Sequence, residues 1–338
     1  MAFEAAWPLD DLEDVADCPY CGSSDRTVAY QDVKDWAFGS APGNWDYWSC
    51  NGCRALYLLP RPTVASIGNA YTRYYTHGDN QVFSRLRAFK QRVRNEYWSH
   101  SLKISLSPRL GIPVWAGSAA AWLAPWIAEP FGLRQLAQLP KGLLIDVGCG
   151  NGDKLRLGNQ FGWRAQGIEL DESAIKAAKA QGLHVTHGGY ELLADYQGQA
   201  DCVVCSHVLE HVHQPLQMLQ LLLTALKPQG VLLLSVPNAN SFLRHHYGES
   251  WRGLEAPRHM AIPDGEWLAE YLQGQGVRCT QVASYPLETA MESERIQRRG
   301  DSLLPADMRA AKAVLSRLGA PTLAQQDVTQ LICVRAQQ

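Results

Sequence analysis

The sequence predicts an α/β protein: an open, mostly parallel sheet fills the C-terminal half, with a small cysteine-rich module and a helical segment ahead of it. Three observations carry that reading. From Lys141 onward, short apolar runs (LLIDV, RAQGIE, LHVTH, ADCVVCS and GVLLLSVP) alternate with helical stretches such as DESAIKAAKAQG and PLQMLQLLLTALKPQG. That is the rhythm of strands joined by crossover helices. Residues 18–62 hold two Cys-x-x-Cys pairs among turn residues and short aromatic runs. Finally, 338 residues at 46% hydrophobic and 19% charged content can bury a sizeable core, which excludes collagenous, coiled-coil and disordered chains.

The charge balance narrows the function classes. Thirty-one Lys and Arg against thirty-three Asp and Glu leave a net charge of −2, so no global field draws the molecule onto nucleic acid. The N-terminus, MAFEAAWPLDDLEDVAD, is acidic and lacks the basic start and apolar run of a secretory signal, which predicts a cytoplasmic address. In that compartment nine cysteines are expected to be thiols or metal ligands rather than disulfides. Cys18, Cys21, Cys50 and Cys53 supply two thiolate pairs from two tight turns, the four ligands of a tetrahedral zinc site. Residues 1–62 are therefore assigned as an N-terminal tail and zinc-ribbon domain, with the metal structural because protein fills every position.

Residues 63–139 read as a helical linker or lid. VFSRLRAFKQRVRNEYWSHSLK sets Phe83, Leu86, Val93 and Tyr97 near one helical face and Arg85, Arg87, Lys90, Arg92 and Arg94 around it. Docking on a neighbouring element with a solvated face is one reading; contact of residues 82–128 with the inner face of a membrane, or with an anionic substrate, is the other. The uncharged run from Leu110 to Ala128 carries Trp115, Trp122 and Trp126, but glycines and prolines interrupt it, so no membrane span is assigned.

Residues 140–338 form the α/β domain. Asp171 suits an N-cap, Gly182 a C-cap, and Pro228 with Gly230 stops the helix before the fifth strand. RCTQVASY and TQLICVRA supply two further strands. Cys202 and Cys205 lie within an apolar strand, where alternation sends them to opposite faces of the core. LLIDVGCGNG puts Gly148, Gly150 and Gly152 where the first strand turns into its helix, so backbone can approach a ligand closely. Asp146 ends that strand and Glu169 ends the next, where a carboxylate can accept ribose hydroxyls. On the glycines alone a dinucleotide stays open.

The ordered series IDVGCGNG, GIELDESAI, ADCVVCSHVLEHVHQP and LKPQGVLLLSVPN resembles the motifs of class I S-adenosylmethionine (SAM) methyltransferases over residues 140–285. The resemblance implies a Rossmann-like seven-stranded sheet whose last strand is antiparallel. It implies that Asp146, Gly148, Cys149, Gly150 and Gly152 hold the methionine part of SAM and that Glu169 holds the ribose, with Leu170 beside it also assigned to the cofactor. Many relatives carry an acidic residue for the adenine after the third strand; here HGGYELL places Tyr190 there. His207, at the end of the fourth strand, is assigned to the cofactor as well.

Methyl transfer to oxygen needs a base near the acceptor, and histidine suits that work near neutral pH. His211 is expected one helical turn after His207 on the same face, whereas His213 reads as a packing residue. The segment 238–264, from Asn238 to Asp264, leaves strand five as a long polar loop, the usual cover of a substrate site. WRGLEAPRHM within it resembles zinc-ribbon methyltransferases of saccharide and secondary-metabolite pathways, and SHVLEHV resembles ubiquinone-biosynthetic O-methyltransferases. The sugar C-methyltransferases among the former imply His259 and His211 as catalytic histidines and a tyrosine after the ribbon, here Tyr71, Tyr74 or Tyr75. Arg258 stands where they carry Glu, and Arg258 and Asn238 are read as substrate-binding. The expected function is SAM-dependent methyl transfer to an oxygen of a small-molecule or lipid-linked acceptor, a saccharide favoured. An RNA methyltransferase that uses the ribbon as reader, and a non-catalytic SAM-binding protein, are the alternatives.

Overall fold

The computed structural model describes residues 6–71, 81–111 and 131–336. The lid residues Tyr74 and Tyr75 and the tryptophans Trp115, Trp122 and Trp126 lie outside that range, as do the side chains of Phe83 and Leu86.

Short strands dominate the N-terminal part. β1 (Leu12–Glu13) pairs antiparallel with β5 (Arg61–Pro62). β2 (Arg26–Val33), β3 (Trp45–Cys50) and β4 (Leu56–Leu58) form an antiparallel meander. A fourth strand from far along the chain, β11 (Ala261–Ile262), pairs antiparallel with β4 and completes the order β11-β4-β3-β2. Trp45, Tyr47, Leu56 and Leu58 from this sheet bury with Trp251, Leu254 and Met260 of the long loop.

The second sheet has seven strands: β6 (Leu143–Val147), β7 (Arg164–Glu169), β8 (Val185–His187), β9 (Ala200–Ser206), β10 (Leu226–Pro237), β12 (Val277–Val282) and β13 (Val328–Arg335). Their order is β12-β13-β10-β9-β6-β7-β8, with β6, β7 and β8 parallel and β13 antiparallel to both neighbours. Every residue of β6 is buried, as expected of a strand covered on both faces. Cys202 and Cys205 are fully buried in β9.

The helices are α1 (Gln81–Ser101), α2 (Leu133–Gln138), α3 (Asp153–Gln160), α4 (Glu172–Ala180), α5 (Pro215–Ala225), α6 (Phe242–Tyr247), α7 (Gly265–Gly274), α8 (Leu287–Gln297) and α9 (Pro305–Leu318). Asp171 caps α4 by accepting from the backbone N–H groups of Ser173 and Ala174, and Asp264 caps α7 by accepting from that of Trp267. Gly182, in the left-handed region, ends α4. Val93 and Trp98 of α1 bury against Leu106 and Leu133. Among the described residues no helix is long and apolar enough to cross a membrane.

Two compact units are distinguished. One comprises Met1–Tyr75, Leu193–Gly198 and Cys205–Gln338; the other comprises Thr76–Leu192 and Gln199–Val204. The N-terminal strands thus group with the C-terminal half of the chain, because β11 is drawn from residues 261–262 to pair with β4. One expectation is corrected: Cys279 and Cys333 form a disulfide. They face each other directly across the antiparallel β12–β13 ladder with Cα atoms 4.1 Å apart, a proximity that their sequence separation of 54 conceals.

Candidate functional site

In the first unit the two Cys-x-x-Cys turns repeat one geometry. The Gly22 N–H donates to the Cys18 carbonyl and the Arg54 N–H to the Cys50 carbonyl, each at 2.9 Å, with Gly22 and Arg54 both left-handed. The turns bring Cys18 Sγ to 3.5 Å from Cys53 Sγ and Cys21 Sγ to 3.4 Å from Cys50 Sγ, with all four sulfurs within 4.8 Å of one another. A tetrahedral zinc with Zn–S bonds of about 2.3 Å needs sulfur–sulfur edges of about 3.8 Å, so the cradle fits the ion. Both turns also grip the long loop. Tyr20 donates its hydroxyl to the Ala261 carbonyl at 3.1 Å, and Arg54 forms a forked ion pair with Asp264 at 2.9 and 3.0 Å.

In the second unit the strand-to-helix turn after β6 is built on left-handed glycines: φ is +66° at Gly148, +54° at Gly150 and +83° at Gly152. A side chain at Gly152 would also collide with Leu183. Glu169 ties the loop to the end of β7: one carboxylate oxygen accepts the Gly150 N–H at 2.8 Å, and the other accepts those of Leu170 and Asp171. Asp146 is 3% exposed, and burial pushes its carboxyl up to about 6. Cys149 is buried, and burial raises its thiol to about 12, so the thiol stays neutral. Leu170 is exposed, and Tyr190 opens a 3-10 helix, Tyr190–Tyr196, after β8.

The first unit also holds a cavity of about 750 Å³ whose wall includes His207, His211 and His259. His207 does not start a helix with His211, as the sequence suggested. It sits alone in the left-handed region at φ +56°, with its N–H bonded to the Ser235 carbonyl, and His211 ends a short 3-10 turn. Each ring offers Nδ1 to an oxygen: His207 to Glu210 at 3.2 Å, His211 to the Arg258 carbonyl at 3.0 Å, and His259 to the Gly253 carbonyl at 2.7 Å. A carbonyl only accepts, so Nδ1 of His211 and His259 carries the proton and Nε2 keeps its lone pair. Tyr71 Oη lies 3.0 Å from His211 Nδ1, and the rings of His211 and His259 meet edge to face at 4.6 Å. Burial lowers His259 to about 4, against the pull of Glu255, so the ring is neutral at physiological pH. His213 instead packs at the periphery, its Nε2 3.0 Å from the Pro62 carbonyl.

Two assigned residues turn out to be structural. Asn238 is fully buried; its amide donates to the Ala324 and Gln326 carbonyls and accepts from the backbone of Asn240 and Gly265, which uses its hydrogen-bonding capacity within the protein. Arg258 is also fully buried, in a double ion pair with Asp35 and Glu255. Neither is available to a substrate. Conversely, Glu210 and Glu255 were missed although both approach the histidines: Glu210 lies between His207 and His211 in HVLEH, and Glu255 lies four residues before His259. Their spacing was a signal that only the loop's folding made readable.

Residues 127–282 match the family model described as a methyltransferase domain. The chain is 34% identical over 153 residues to the ubiquinone biosynthesis O-methyltransferase of Bordetella avium, covering 41% of this chain and 61% of that protein. It is 32% identical over 107 residues to the enzyme of the same name from Xanthomonas campestris, covering 30% and 45%. It thus spans roughly half the length of the curated relatives it matches. Among solved structures, a SAM-dependent methyltransferase from Archaeoglobus fulgidus aligns with a TM-score of 0.42 at 18% identity, over 64% of this chain and 93% of that one. With the ordered motifs, the glycine loop and the antiparallel final strand in place, residues 127–282 form a methyltransferase domain of the class I SAM-dependent type within the longer chain.

Proposed function

We propose that this protein transfers the methyl group of SAM to an oxygen of a small-molecule or lipid-linked acceptor, with a saccharide the favoured class. The observation that carries the reading is the cavity with two buried or half-buried imidazoles whose Nδ1 atoms bond backbone carbonyls, which leaves the ring lone pair on Nε2. The names of the curated relatives support oxygen as the methylated atom. The cavity wall also carries the carboxylate of Glu288 of α8, which can accept hydroxyl hydrogen bonds, and the aromatic ring of Tyr285, a combination suited to a polyhydroxylated ring.

In this reading Asp146 and the turn Gly148, Cys149, Gly150 and Gly152 would hold the methionine part of SAM, Glu169 its ribose and Tyr190 its adenine, with Leu170 and His207 also assigned to the cofactor. When bound, SAM supplies an electrophilic methyl group on a positively charged sulfur. Nε2 of His259 or His211 would take the proton that the acceptor's hydroxyl gives up when it receives that methyl group. Tyr71, bonded to His211, orients that ring. Zinc, held by Cys18, Cys21, Cys50 and Cys53, would brace the loop that presents His259.

The test is transfer of labelled methyl from SAM into an extract of producing cells, fractionated into lipid, saccharide, small-molecule, protein and nucleic-acid pools. Label in the saccharide, small-molecule or lipid pool is the expected result. Label released by ribonuclease would overturn it in favour of an RNA methyltransferase, and SAM binding without label in any pool would favour a non-catalytic role.

A further inference from the structure

Beside His259 lies a buried ion-pair chain that acid–base chemistry at the cavity does not by itself require. Glu255 is 6% exposed and places one carboxylate oxygen 3.6 Å from Nε2 of His259. Arg252 grips that same oxygen, while Arg258 holds the other at 3.1 Å. Behind Arg258 stands Asp35 from the segment after β2, fully buried and bonded to the guanidinium, to the Ser40 hydroxyl and to the N–H groups of Ser40 and Ala41. Burial pushes the Glu255 carboxyl up, but His259, Arg252 and Arg258 together outweigh it and hold it ionised, well below the ordinary range. Among the described residues, Glu210, 3.9 Å from Nε2, and the His211 ring also face His259, and the Tyr47 hydroxyl donates to its backbone carbonyl at 2.8 Å. Glu210 is in turn bonded to His207.

The imidazole therefore meets two demands. It must be neutral to accept a proton, which burial ensures, and the cation formed needs a counter-charge because so little of the ring is open to solvent. We propose that Glu255 is the positioning residue for the proton that His259 takes: its carboxylate, shared between Arg252, Arg258 and the imidazole, steadies the imidazolium, and the two arginines set how much of it the ring receives. This inference rests on the reading of His259 as a base, and it adds a carboxylate and a pair of arginines to the machinery.

Because Arg252 and His259 approach the same oxygen, the two arms of a test move in opposite directions. In the full-length chain with histidines labelled with ¹⁵N, the His259 ring signals, assigned by their loss in His259→Gln, are followed from neutral to acid pH with no acceptor present. Arg252→Gln frees the Glu255 oxygen and is expected to raise the midpoint of His259 by about one pH unit. Glu255→Gln is close in shape to the native residue and is expected to keep the ring neutral down to the lowest pH at which the fold persists. A midpoint in Arg252→Gln no higher than in the parent chain overturns the proposal, as does an upward movement in Glu255→Gln. The side chain of Arg252 is partly exposed, so its replacement does not open the core even where Glu255→Gln fails to fold. The titration needs no turnover, so failure of the labelled-methyl assay and failure of this proposal are separate results.

Discussion

Replacing Asp146 with Asn isolates the cost of keeping a carboxylate at the end of β6. The side chain is 3% exposed and its carboxyl is raised by burial from 3.8 to about 6. The sign follows from linkage. Between these two values the unfolded chain is ionised while the folded chain keeps its proton, so native stability falls as pH rises through that window and the loss is complete above about 6. The window spans about 2.2 units, and at about 1.36 kcal/mol per unit the full penalty is ~3 kcal/mol. At about pH 5 only about half of it has developed. Asp146→Asn cannot ionise and escapes the penalty. Whatever its amide costs in this position is nearly the same at both pH values and cancels in the comparison. Chemical denaturation of the chain without SAM should therefore show the variant gaining ~1–2 kcal/mol on the parent between about pH 5 and about pH 8. A stability difference that is flat with pH would refute the reasoning, since it would mean that the carboxylate ionises in the fold as readily as in water. The same variant should bind SAM more weakly, the usual trade of stability against function at a ligand site.

Three other outcomes can be checked directly. Cys50→Ser should reduce bound zinc, measured by elemental analysis, from about one per chain to near zero and should lower unfolding stability by several kcal/mol, because metal binding and folding are coupled in such sites. Gly152→Ala puts a Cβ at φ +83° against Leu183, which should cost about 1–3 kcal/mol in denaturant titrations and weaken SAM binding in calorimetry; undiminished binding would detach the loop from the cofactor. His259→Ala should slow methyl transfer by about 10²–10⁴-fold while leaving the dissociation constant of SAM unchanged, and a variant with full turnover would move the base to His211.

The features that the sequence alone determined are those made by residues close together along the chain. A Cys-x-x-Cys turn presents two thiolates whatever surrounds it, and the two turns here have the same hydrogen bond and the same left-handed residue at Gly22 and Arg54. The glycine turn after β6, the caps at Asp171 and Asp264, and the alternation of strands and helices are local in the same sense, because they follow from backbone conformation and from the period of apolar residues. Tertiary structure decided what depends on distant partners. Arg258 and Asn238 look like polar loop residues open to a ligand, yet Asp35 lies 223 positions from Arg258 and the Gln326 carbonyl 88 from Asn238, and burial with these partners removes both from the surface. Cys279 and Cys333 carry no recognisable spacing and become a disulfide only through strand register. Nor does any local pattern show that a strand at residues 261–262 would join the N-terminal sheet and bring His259 beside Glu255 and Glu210. A side chain's chemistry is written in its type, but its charge state and its availability depend on burial and neighbours, which the chain acquires only when distant segments pack together.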